Sequence, residues 1–532
     1  VLVAMNPAAL KANLGDLVAG GTIIVNEDAF DERNLHKAGY DSNPLEDDTL
    51  NGYQVFKVPM TTITVEAVAD LGVKPRIAER SKNFFALGLV SWLYTRPVEP
   101  TLEWITETFK GRPTVADANV AAFKAGYYFA ESQELFDHQY QVAPAALEPG
   151  TYRSITGNPA LAYGLVAAAK LSGLTLFLGS YPITPASEIL EQLSALKRFD
   201  VIAFQAEDEI AGIGSAIGAA FAGMLAVTTT SGPGMDLKSE AVGLAVSLEL
   251  PLVIVDVQRG GPSTGLPTKT EQSDLFQAMY GRHGESPVPV IAAKSPSDCF
   301  DAAIEAARIA VKYRTPVYLL SDSYLANGSE PWRLPDMDSY EPIEPGFATE
   351  PNHGDEYWPY LRNSETLARP WAIPGTEGLT HRIGGLEKEV DRGTVSYSAE
   401  NHEAMTRIRQ AKVDGIVRDI PPLEVDDEQG AELLIIGWGS TYGSIAAAVR
   451  RLRLAGHKVA RAHLRHIYPL PANTGEVLRA YRHVLVPELN LGQLVRILRA
   501  EYLVDAIPLN KVWTLPFRVS QIEEKALEVL GQ

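Results

Sequence analysis

The chain has 532 residues, enough for about three or four domains that each bury a core. Apolar residues make up 46% of it and charged residues 21%, an ordinary composition for a globular protein. Acidic residues outnumber basic ones by 66 to 47, so the net charge is −19. This balance argues against a protein that binds nucleic acid or an anionic membrane, because both need a basic surface.

The cysteine content indicates the cellular compartment. The chain has one cysteine, Cys299, which cannot form an internal disulfide or supply the roughly four ligands of an iron–sulfur cluster. We therefore expect a reducing cytoplasm. No apolar run approaches the ~20 residues of a membrane span. Residues 1–5 lack the features of a signal peptide and have the pattern of a buried strand, so we expect further residues upstream of Val1.

Residues 1–145 are predicted to form one α/β unit. Strands that alternate with helices are typical of βαβ units with a parallel sheet. The predicted strands lie at residues 1–4, 22–25 and 53–58, and the helical patterns at 6–17, 64–71, 80–94, 102–109 and 116–132. The segment 142–152 contains two prolines and a glycine, which indicates a domain linker.

Residues 150–330 repeat the alternation more strongly. The predicted strands lie at residues 174–178, 201–204, 224–230, 251–257 and 316–321, separated by alanine-rich helical stretches. The run at 251–257 is almost continuously aliphatic, as expected for a strand buried on both faces of a sheet. We predict a doubly wound α/β domain.

The rest of the chain has two parts. Residues 331–425 have eight prolines between Pro331 and Pro374, and we predict an extended but ordered inter-domain segment. Disorder is the alternative, and the three tryptophans of this segment argue against it. Residues 426–532 are predicted to form a third α/β unit, with strands at 433–436, 458–462 and 483–487 and a helix at 444–455. The predicted fold class is therefore multidomain α/β.

Two glycine-rich segments come close to a dinucleotide-binding fingerprint. Residues 212–218 (GIGSAIG) and 437–443 (GWGSTYG) each miss G-x-G-x-x-G by one position. Close packing of strand and helix is the expected use of the second segment, and nucleotide contact is the alternative. The sequence has no G-x-x-x-x-G-K-[ST] phosphate loop and no H-E-x-x-H zinc motif.

A cluster of carboxylates follows the predicted strand at 201–204. Glu207, Asp208 and Glu209 precede a helix of almost exclusively small residues, and the next strand ends in the sequence T-T-S-G-P-G at residues 229–234. Carboxylates suit a helix N-terminus, which accounts for one or two of the three. The small residues would let a flat ligand or another backbone approach closely.

This order of motifs resembles the pyrimidine-binding domain of thiamine diphosphate enzymes. In those enzymes a glutamate meets the ring nitrogen of the aminopyrimidine and stabilises its imino tautomer, whose exocyclic nitrogen removes the C2 proton of the thiazolium. The resemblance assigns this role to Glu209 and leaves Glu207 and Asp208 as helix-start carboxylates.

Two further motifs resemble one family among these enzymes. Tyr181-Pro182-Ile183-Thr184-Pro185 ends the first strand of the second domain, and V-Q-R-G-G-P-S-T-G-L-P-T at residues 257–268 follows its buried strand. Both lie at carboxyl ends of strands, where open α/β sheets bind ligands. Together with the carboxylate motif they resemble the α subunit of 2-oxoacid:ferredoxin oxidoreductases; each motif alone could be only a proline-glycine turn.

The resemblance extends over nearly the whole chain. Residues 1–145, especially E-R-S-K-N-F-F-A-L-G at 79–88, resemble the γ domain of these enzymes, and residues 426–532 resemble a transketolase C-terminal-type domain. Residues 150–330 correspond to the pyrimidine-binding domain. The glycine-rich turn that usually opens the γ domain would precede Val1, so we expect the N-terminal part of that domain upstream.

The resemblance also implies a partner. The chain has neither the G-D-G…N element that binds diphosphate and magnesium nor cysteines for a cluster, and in this family both belong to a separate β subunit. We therefore expect thiamine diphosphate shared with the β subunit, Mg²⁺ and a [4Fe–4S] cluster in that subunit, and an (αβ)2 heterotetramer. No metal site is predicted in this chain.

The reaction implied is CoA-dependent oxidative decarboxylation of a 2-oxoacid to an acyl-CoA, with electrons passing to ferredoxin. The fusion of γ and α beside a separate β subunit favours 2-oxoglutarate as substrate and succinyl-CoA as product. Pyruvate and branched-chain 2-oxoacids remain open. So do a non-catalytic nucleotide-binding or assembly subunit and a self-contained thiamine decarboxylase.

Site residues follow from the same resemblance. Tyr181, Pro182 and Ile183 would contact the cofactor, and the hydroxyl of Thr184 would hydrogen-bond the substrate. Arg259 would hold the carboxylate of the 2-oxoacid as a fixed fork.

The loop after Arg259 and one histidine complete the candidates. Ser263, Thr264 and Lys269 could reach the substrate or CoA. His283 is a weaker candidate, and a buried, hydrogen-bonded histidine is the expected interpretation.

Overall fold

The structure is a computed structural model and describes residues 1–133 and 136–531. The chain divides into two units, Val1–Glu148 and Pro149–Gln532, and the division falls within the segment predicted as a linker. Both units combine helices with parallel strands, as the sequence predicted. The predicted boundaries near residues 330 and 425 lie inside the second unit.

The first unit contains a parallel sheet in the order β1-β2-β3, flanked by helices. Its strands are β1 (Leu2–Ala4), β2 (Thr22–Asn26) and β3 (Gln54–Val58). Its helices are α1 (Pro7–Asn13), α2 (Glu32–Lys37), α3 (Met60–Ala67), α4 (Pro75–Arg80), α5 (Lys82–Leu93), α6 (Glu99–Thr108) and α7 (Pro113–Ser132). Strand β2 is buried along its whole length, in keeping with its central position.

The second unit holds the remaining strands and helices. Its strands are β4 (Tyr152–Thr156), β5 (Leu176–Ser180), β6 (Val201–Gln205), β7 (Leu225–Thr230), β8 (Leu252–Gln258), β9 (Val290–Ala292), β10 (Pro316–Asp322), β11 (Ser329–Arg333), β12 (Val425–Asp426), β13 (Leu433–Trp438), β14 (Val459–Leu464), β15 (His466–Tyr468), β16 (His483–Glu488) and β17 (Ala506–Asn510). Its helices are α8 (Gly157–Ser172), α9 (Ser187–Ala195), α10 (Glu209–Phe221), α11 (Gly232–Leu248), α12 (Leu275–Tyr280), α13 (Asp298–Tyr313), α14 (Ser323–Asn327), α15 (Ala399–Gly415), α16 (Tyr442–Leu454), α17 (Thr474–Arg479), α18 (Gln493–Tyr502) and α19 (Val519–Leu530).

The central sheet of this unit has seven strands in the order β15-β9-β10-β8-β7-β5-β6. Neighbours pair in parallel except β15, which is antiparallel to β9. Strand β8 is fully buried because alternate residues enter two cores. Val253 and Val255 pack with helices α8 and α13, whereas Leu252 and Ile254 pack with α10 and α11. The predicted doubly wound arrangement is therefore observed.

Residues 331–425 are mostly irregular as far as α15, and they pack against the central domain. The fully buried Trp371 donates its indole N–H to the Ala220 carbonyl at 3.0 Å. Arg369, also buried, donates to the carbonyl of Leu248 at 2.9 Å. Helix α15 was not predicted from the sequence, because its polar surface leaves little apolar periodicity to detect.

The C-terminal part forms a five-stranded sheet in the order β12-β14-β13-β16-β17. One face packs on α16 and α19, and the other faces the core that α10 and α11 share with the central sheet. Strand β15 follows β14 after a single residue but pairs with the central sheet. In the described part of the chain, no helix combines the length and the apolar surface needed to span a bilayer.

Candidate active site

The predicted motifs meet at one edge of the central sheet. From β5 the chain continues to β6 on one side, while β7 lies on the other side of β5. The sheet order therefore reverses direction at β5, and such switch points open a crevice at the carboxyl ends of parallel strands. The loops after β5 and β7 border this crevice.

The carboxylate cluster is arranged by the start of α10. Asp208 is the N-cap residue, and its side chain accepts a hydrogen bond from the Ala211 N–H at 2.8 Å. Glu207 is exposed in the preceding turn, and Glu209, the first helical residue, is half-buried. Helix capping therefore accounts for Asp208 but not for Glu209, whose carboxylate does not cap the helix.

Glu209 lies beside the end of β7 and the loop after β5. The buried Tyr181 hydroxyl is 3.0 Å from Thr230 Oγ1. A Cβ at Gly234 would collide with both hydroxyls and would lie 3.2 Å from Glu209 Cγ. Burial raises the pKa of Tyr181, and the Glu209 carboxylate adds to that effect, so the phenol stays protonated. The two hydroxyls and the Glu209 side chain thus converge on a point that only glycine can occupy.

The small residues of α10 serve two purposes. Gly212 packs against Gly179 at the end of β5, where a Cβ on Gly179 would collide with the Gly212 carbonyl. On the opposite side of the helix, Ile210, Ala211 and Gly214 are exposed next to Glu209. The helix therefore approaches the sheet closely and exposes apolar residues in the turn that follows the carboxylate.

The structure joins two of the predicted substrate residues directly. Arg259, which is buried, donates from Nη1 to the Thr184 main-chain carbonyl at 2.6 Å. Its Nε has no hydrogen-bond partner among the described residues. A buried, unpartnered guanidinium N–H is costly unless a ligand pairs with it, which points to an anion at this position.

Two clefts divide the remaining candidates, and Arg259 lines one of them. A cleft of about 580 Å³ is lined by Thr184 and Lys269, together with Tyr324 and Leu515. A second cleft, of about 430 Å³, has another set of lining residues, among them Arg259, Ser263, Asp236, Asp274 and Leu491.

The other predicted residues lie outside both clefts. Thr264 and Pro182 are exposed. Ile183 packs its side chain on the core beside α8.

A buried pair of carboxyl groups lies next to Arg259. Both side-chain oxygens of Asp256 and one of Asp274 are buried without a hydrogen-bond partner in the described structure. Burial and the neighbouring Asp274 carboxylate raise the pKa of Asp256, against the charge of Arg259. Burial raises the pKa of Asp274 to about 7. Two such groups hold a shared proton near neutral pH, because both cannot ionise in so confined a space.

Comparison with known proteins identifies the family. The family model described as "Pyruvate flavodoxin/ferredoxin oxidoreductase, thiamine diP-bdg" matches residues 168–401, and "Pyruvate ferredoxin/flavodoxin oxidoreductase" matches residues 1–129. The Mycobacterium tuberculosis protein named 2-oxoglutarate oxidoreductase subunit KorA is 58% identical over 523 residues, which are 98% of this chain and 79% of that protein. The chain belongs to the 2-oxoacid:ferredoxin oxidoreductase family.

Other members of the family agree with this assignment. The structure of a 2-oxoglutarate:ferredoxin oxidoreductase from Magnetococcus marinus, with 2-oxoglutarate, coenzyme A and succinyl-CoA bound, superimposes with a TM-score of 0.87 at 33% identity, over 99% of this chain and 87% of that one. The 2-oxoglutarate synthase subunit KorA of Methanothermobacter marburgensis is 36% identical over 352 residues, 64% of this chain and 88% of that protein. The predicted family and fold class are confirmed.

Two charged residues beside the candidate site were not predicted from the sequence. Lys238 lies on α11, fully buried and 2.9 Å from the Glu209 carbonyl. Asp256 is the only charged residue in strand β8. Both could have been noticed in the sequence. A charged residue within an apolar run, or on the buried face of a helix, costs free energy to bury unless it is paired or has a function.

The structure also places His283 and the first glycine-rich segment. His283 is exposed, not buried as expected, because it lies in the turn after α12. Residues 212–218 lie inside α10 and form no phosphate-binding turn.

In the second glycine-rich segment, Gly437 at the end of β13 allows the expected close packing of strand and helix, because a Cβ there would collide with Ile445 of α16. The Gln272 side chain lies against the following turn, with Nε2 donating to the Trp438 carbonyl at 2.8 Å. Among the described residues of this oxidoreductase, no group of three or more His, Cys, Asp or Glu side chains could hold a metal ion.

Proposed function

We propose that this chain is the α subunit, with a fused γ domain, of a thiamine-diphosphate-dependent 2-oxoglutarate:ferredoxin oxidoreductase. The reaction is CoA-dependent oxidative decarboxylation of 2-oxoglutarate to succinyl-CoA, with electrons passed to ferredoxin. The observation that carries the proposal is the convergence of Glu209, Tyr181 and Thr230 at the switch point, close to an arginine tied to Thr184. The names of the relatives support 2-oxoglutarate as the substrate.

The residues at the crevice suit the aminopyrimidine of thiamine diphosphate. Glu209 has no ion-pair partner among the described residues and would share a proton with the ring nitrogen. The missing side chain at Gly234 and the exposed small residues of α10 leave room for a flat ring. When bound, thiamine diphosphate supplies the nucleophilic carbon and the electron sink that decarboxylation of a 2-oxoacid needs.

Arg259 and Lys269 suit a substrate with two carboxylates. Arg259 is held in place by the Thr184 carbonyl and would pair its free Nε with the carboxylate next to the oxo group. Lys269, which lines the cleft beside Thr184, would meet the second carboxylate of 2-oxoglutarate. The Thr184 hydroxyl would hydrogen-bond the oxo group, and Ser263 and Thr264 would border the path of CoA.

The proposal requires a second chain. The sequence has no G-D-G…N element and a single cysteine, Cys299, which is buried. A β subunit would therefore supply the diphosphate site with Mg²⁺ and the [4Fe–4S] cluster, in an (αβ)2 heterotetramer that reduces ferredoxin. The single buried thiol also favours a reducing cytoplasm.

The test is an assay of the complex. The chain is co-purified with its partner, and 2-oxoglutarate- and CoA-dependent reduction of a viologen dye is measured, with pyruvate and omission of CoA as controls. Glu209→Gln should lower kcat by about 10² or more, because a positioned acid or base contributes on that scale. Arg259→Ala should raise KM for the 2-oxoacid by about tenfold or more, since it removes a charged hydrogen bond.

Glu207→Gln is the matched control, because it makes the same change two residues away on an exposed side chain. It should retain the activity of the unmodified complex. A complex that oxidises pyruvate in preference would change the substrate but keep the enzyme class. A chain that purifies without a cysteine-rich partner and oxidises no 2-oxoacid would contradict the proposal.

A further inference from the structure

Helix α11 carries a lysine that the proposed chemistry does not use. Lys238 lies one turn beyond the Ser231–Gly234 segment, and its side chain is 0% exposed. Its neighbours on the buried face of the helix, such as Met235 and Val242, are apolar. An ammonium group in such surroundings is expensive unless its donors are satisfied.

The contacts of Lys238 link three parts of the crevice. Its Nζ donates to the Glu209 main-chain carbonyl at 2.9 Å and lies 3.0 Å from Thr228 Oγ1 in β7. It also lies 5.1 Å from the centroid of the Tyr181 ring, after β5. The cation therefore joins the first turn of α10 to strand β7 beneath the tyrosine.

The ammonium lies directly against the first turns of α10. A Cβ on Gly212 would lie 3.5 Å from Lys238 Nζ, which is van der Waals contact. Among the described residues no carboxylate forms an ion pair with Lys238, and its two acceptors, the Glu209 carbonyl and the Thr228 hydroxyl, are neutral oxygens. Lys238 thus differs from Lys412, a buried lysine of the same unit that pairs with a carboxylate.

The electrostatics agree with a role near Glu209. Burial lowers the pKa of Lys238 to about 8, while the negative charges of Glu209 and Asp208 act in the opposite direction. The lysine thus remains mainly a cation at neutral pH. An apolar side chain of similar length would avoid the cost of burial, so stability alone does not explain a lysine here.

We infer that Lys238 is a positioning residue that fixes the first turn of α10 against β7 and so holds the Glu209 carboxylate where the aminopyrimidine ring binds. This inference rests on the proposed function and extends it. Without the ammonium, the Glu209 carbonyl and the Thr228 hydroxyl lose their shared donor, and the helix start can shift relative to Tyr181. Glu209 itself is unchanged, but its placement is lost.

The test uses the purified complex and compares Lys238→Met with Lys388→Met. Lys388 is the matched control because it is also buried and also donates to neutral oxygens, those of Ser247, Gly384 and Leu386. The measurements are the Kd for thiamine diphosphate, the near-ultraviolet circular dichroism band of the bound imino tautomer, and the thermal unfolding midpoint. Kinetics with 2-oxoglutarate separate kcat from KM.

Lys238→Met should weaken thiamine diphosphate binding by about tenfold or more, the scale of a lost charged hydrogen bond. It should also diminish the imino band and lower kcat, with KM for 2-oxoglutarate within about twofold of the unmodified value. Lys388→Met should lower the unfolding midpoint but leave the Kd and the imino band unchanged. A Lys238→Met complex with an unchanged Kd and a full imino band would overturn the inference, whatever its stability.

A second variant keeps the test decisive if Lys238→Met does not fold. Thr228→Val keeps the shape of the side chain but removes the oxygen that ties the ammonium to β7, and it should weaken cofactor binding severalfold. An unchanged Kd in that variant would overturn the inference. Failure of the proposed function looks different, because the unmodified complex would then bind no thiamine diphosphate or oxidise no 2-oxoacid.

Discussion

At the scale of single residues, the crevice contains buried polar side chains whose free energy depends strongly on whether they have hydrogen-bond or ion-pair partners. Arg259 and the Asp256–Asp274 pair lie together with unpartnered polar atoms. Lys238 reaches two acceptors from a fully buried position. Such groups are rare in stable cores and common at functional sites, because their cost must be offset by a ligand or a reaction.

The Asp256–Asp274 pair should make the free energy of unfolding depend on pH. The folded-state pKa of Asp274, about 7, lies above the ordinary value of about 3.9. The native chain therefore binds more protons than the unfolded chain between about pH 4 and pH 7, and its free energy of unfolding falls as pH rises through this window. Asp274→Asn should reduce that slope and raise stability at pH 8 by on the order of 2 kcal/mol, while Asp256, whose pKa burial also raises, retains its own share of the slope.

Urea unfolding of the complex at several pH values measures this effect. Glu240→Gln is the control, since Glu240 is an exposed carboxylate on α11. It should keep the slope of the unmodified protein. An equal slope in Asp274→Asn would mean that the pair does not hold a proton.

At the scale of elements, the loop after β8 is held by the C-terminal sheet. Gln272 is fully buried, donates to the Trp438 carbonyl at 2.8 Å and accepts from the Leu489 N–H at 3.1 Å. Asn490 donates to the Gln272 carbonyl at 2.8 Å. The C-terminal sheet thereby fixes the far end of the loop that begins with Arg259.

Gln272→Leu should therefore disturb the loop after β8. The substitution keeps the size of the side chain but leaves the Trp438 carbonyl and the Leu489 N–H without their partner, at a cost of about 1–3 kcal/mol. We expect KM for 2-oxoglutarate to rise severalfold with a smaller effect on kcat, because the loop loses its fixed position. Steady-state kinetics check this, and Gln277→Leu, on α12 beside the loop, should change KM less.

At the scale of the second unit, a buried ion cluster joins the segment 331–425 to the central domain. Glu249, at the end of α11, pairs with Arg362 and with Lys412, and all three side chains are buried. Burial would raise the pKa of Glu249, but the charges of Lys412 and Arg362 outweigh it and lower the pKa to about 2. The carboxylate thus stays ionised in the folded protein.

Glu249→Gln should destabilise the protein by about 3–5 kcal/mol, because it leaves two buried cations without their anion. The exposed i,i+4 pair of Glu403 and Arg407 offers a control, and Glu403→Gln should cost less than about 0.5 kcal/mol. Denaturant unfolding of both variants measures these changes in the free energy of unfolding. The contribution of Glu249 should be complete above about pH 4.5 and should fall as the pH approaches 2.

The sequence by itself determined the fold class, the family and most of the strands that carry the motifs. This was possible because strand alternation, glycine turns and the Y-P-I-T-P and T-S-G-P-G motifs are local patterns. The sequence also predicted Asp208 as a helix-start carboxylate, since capping depends on a few adjacent residues.

Only the tertiary structure decided which residues meet across the crevice. Lys238 lies 29 residues beyond Glu209, and Arg259 lies 75 residues beyond Thr184, so no local pattern links either pair. Strand β15 joins a sheet far from its neighbours in the chain, and His283 lies exposed where burial was expected. These outcomes depend on contacts between distant segments, which form only when the sheets and helices pack together.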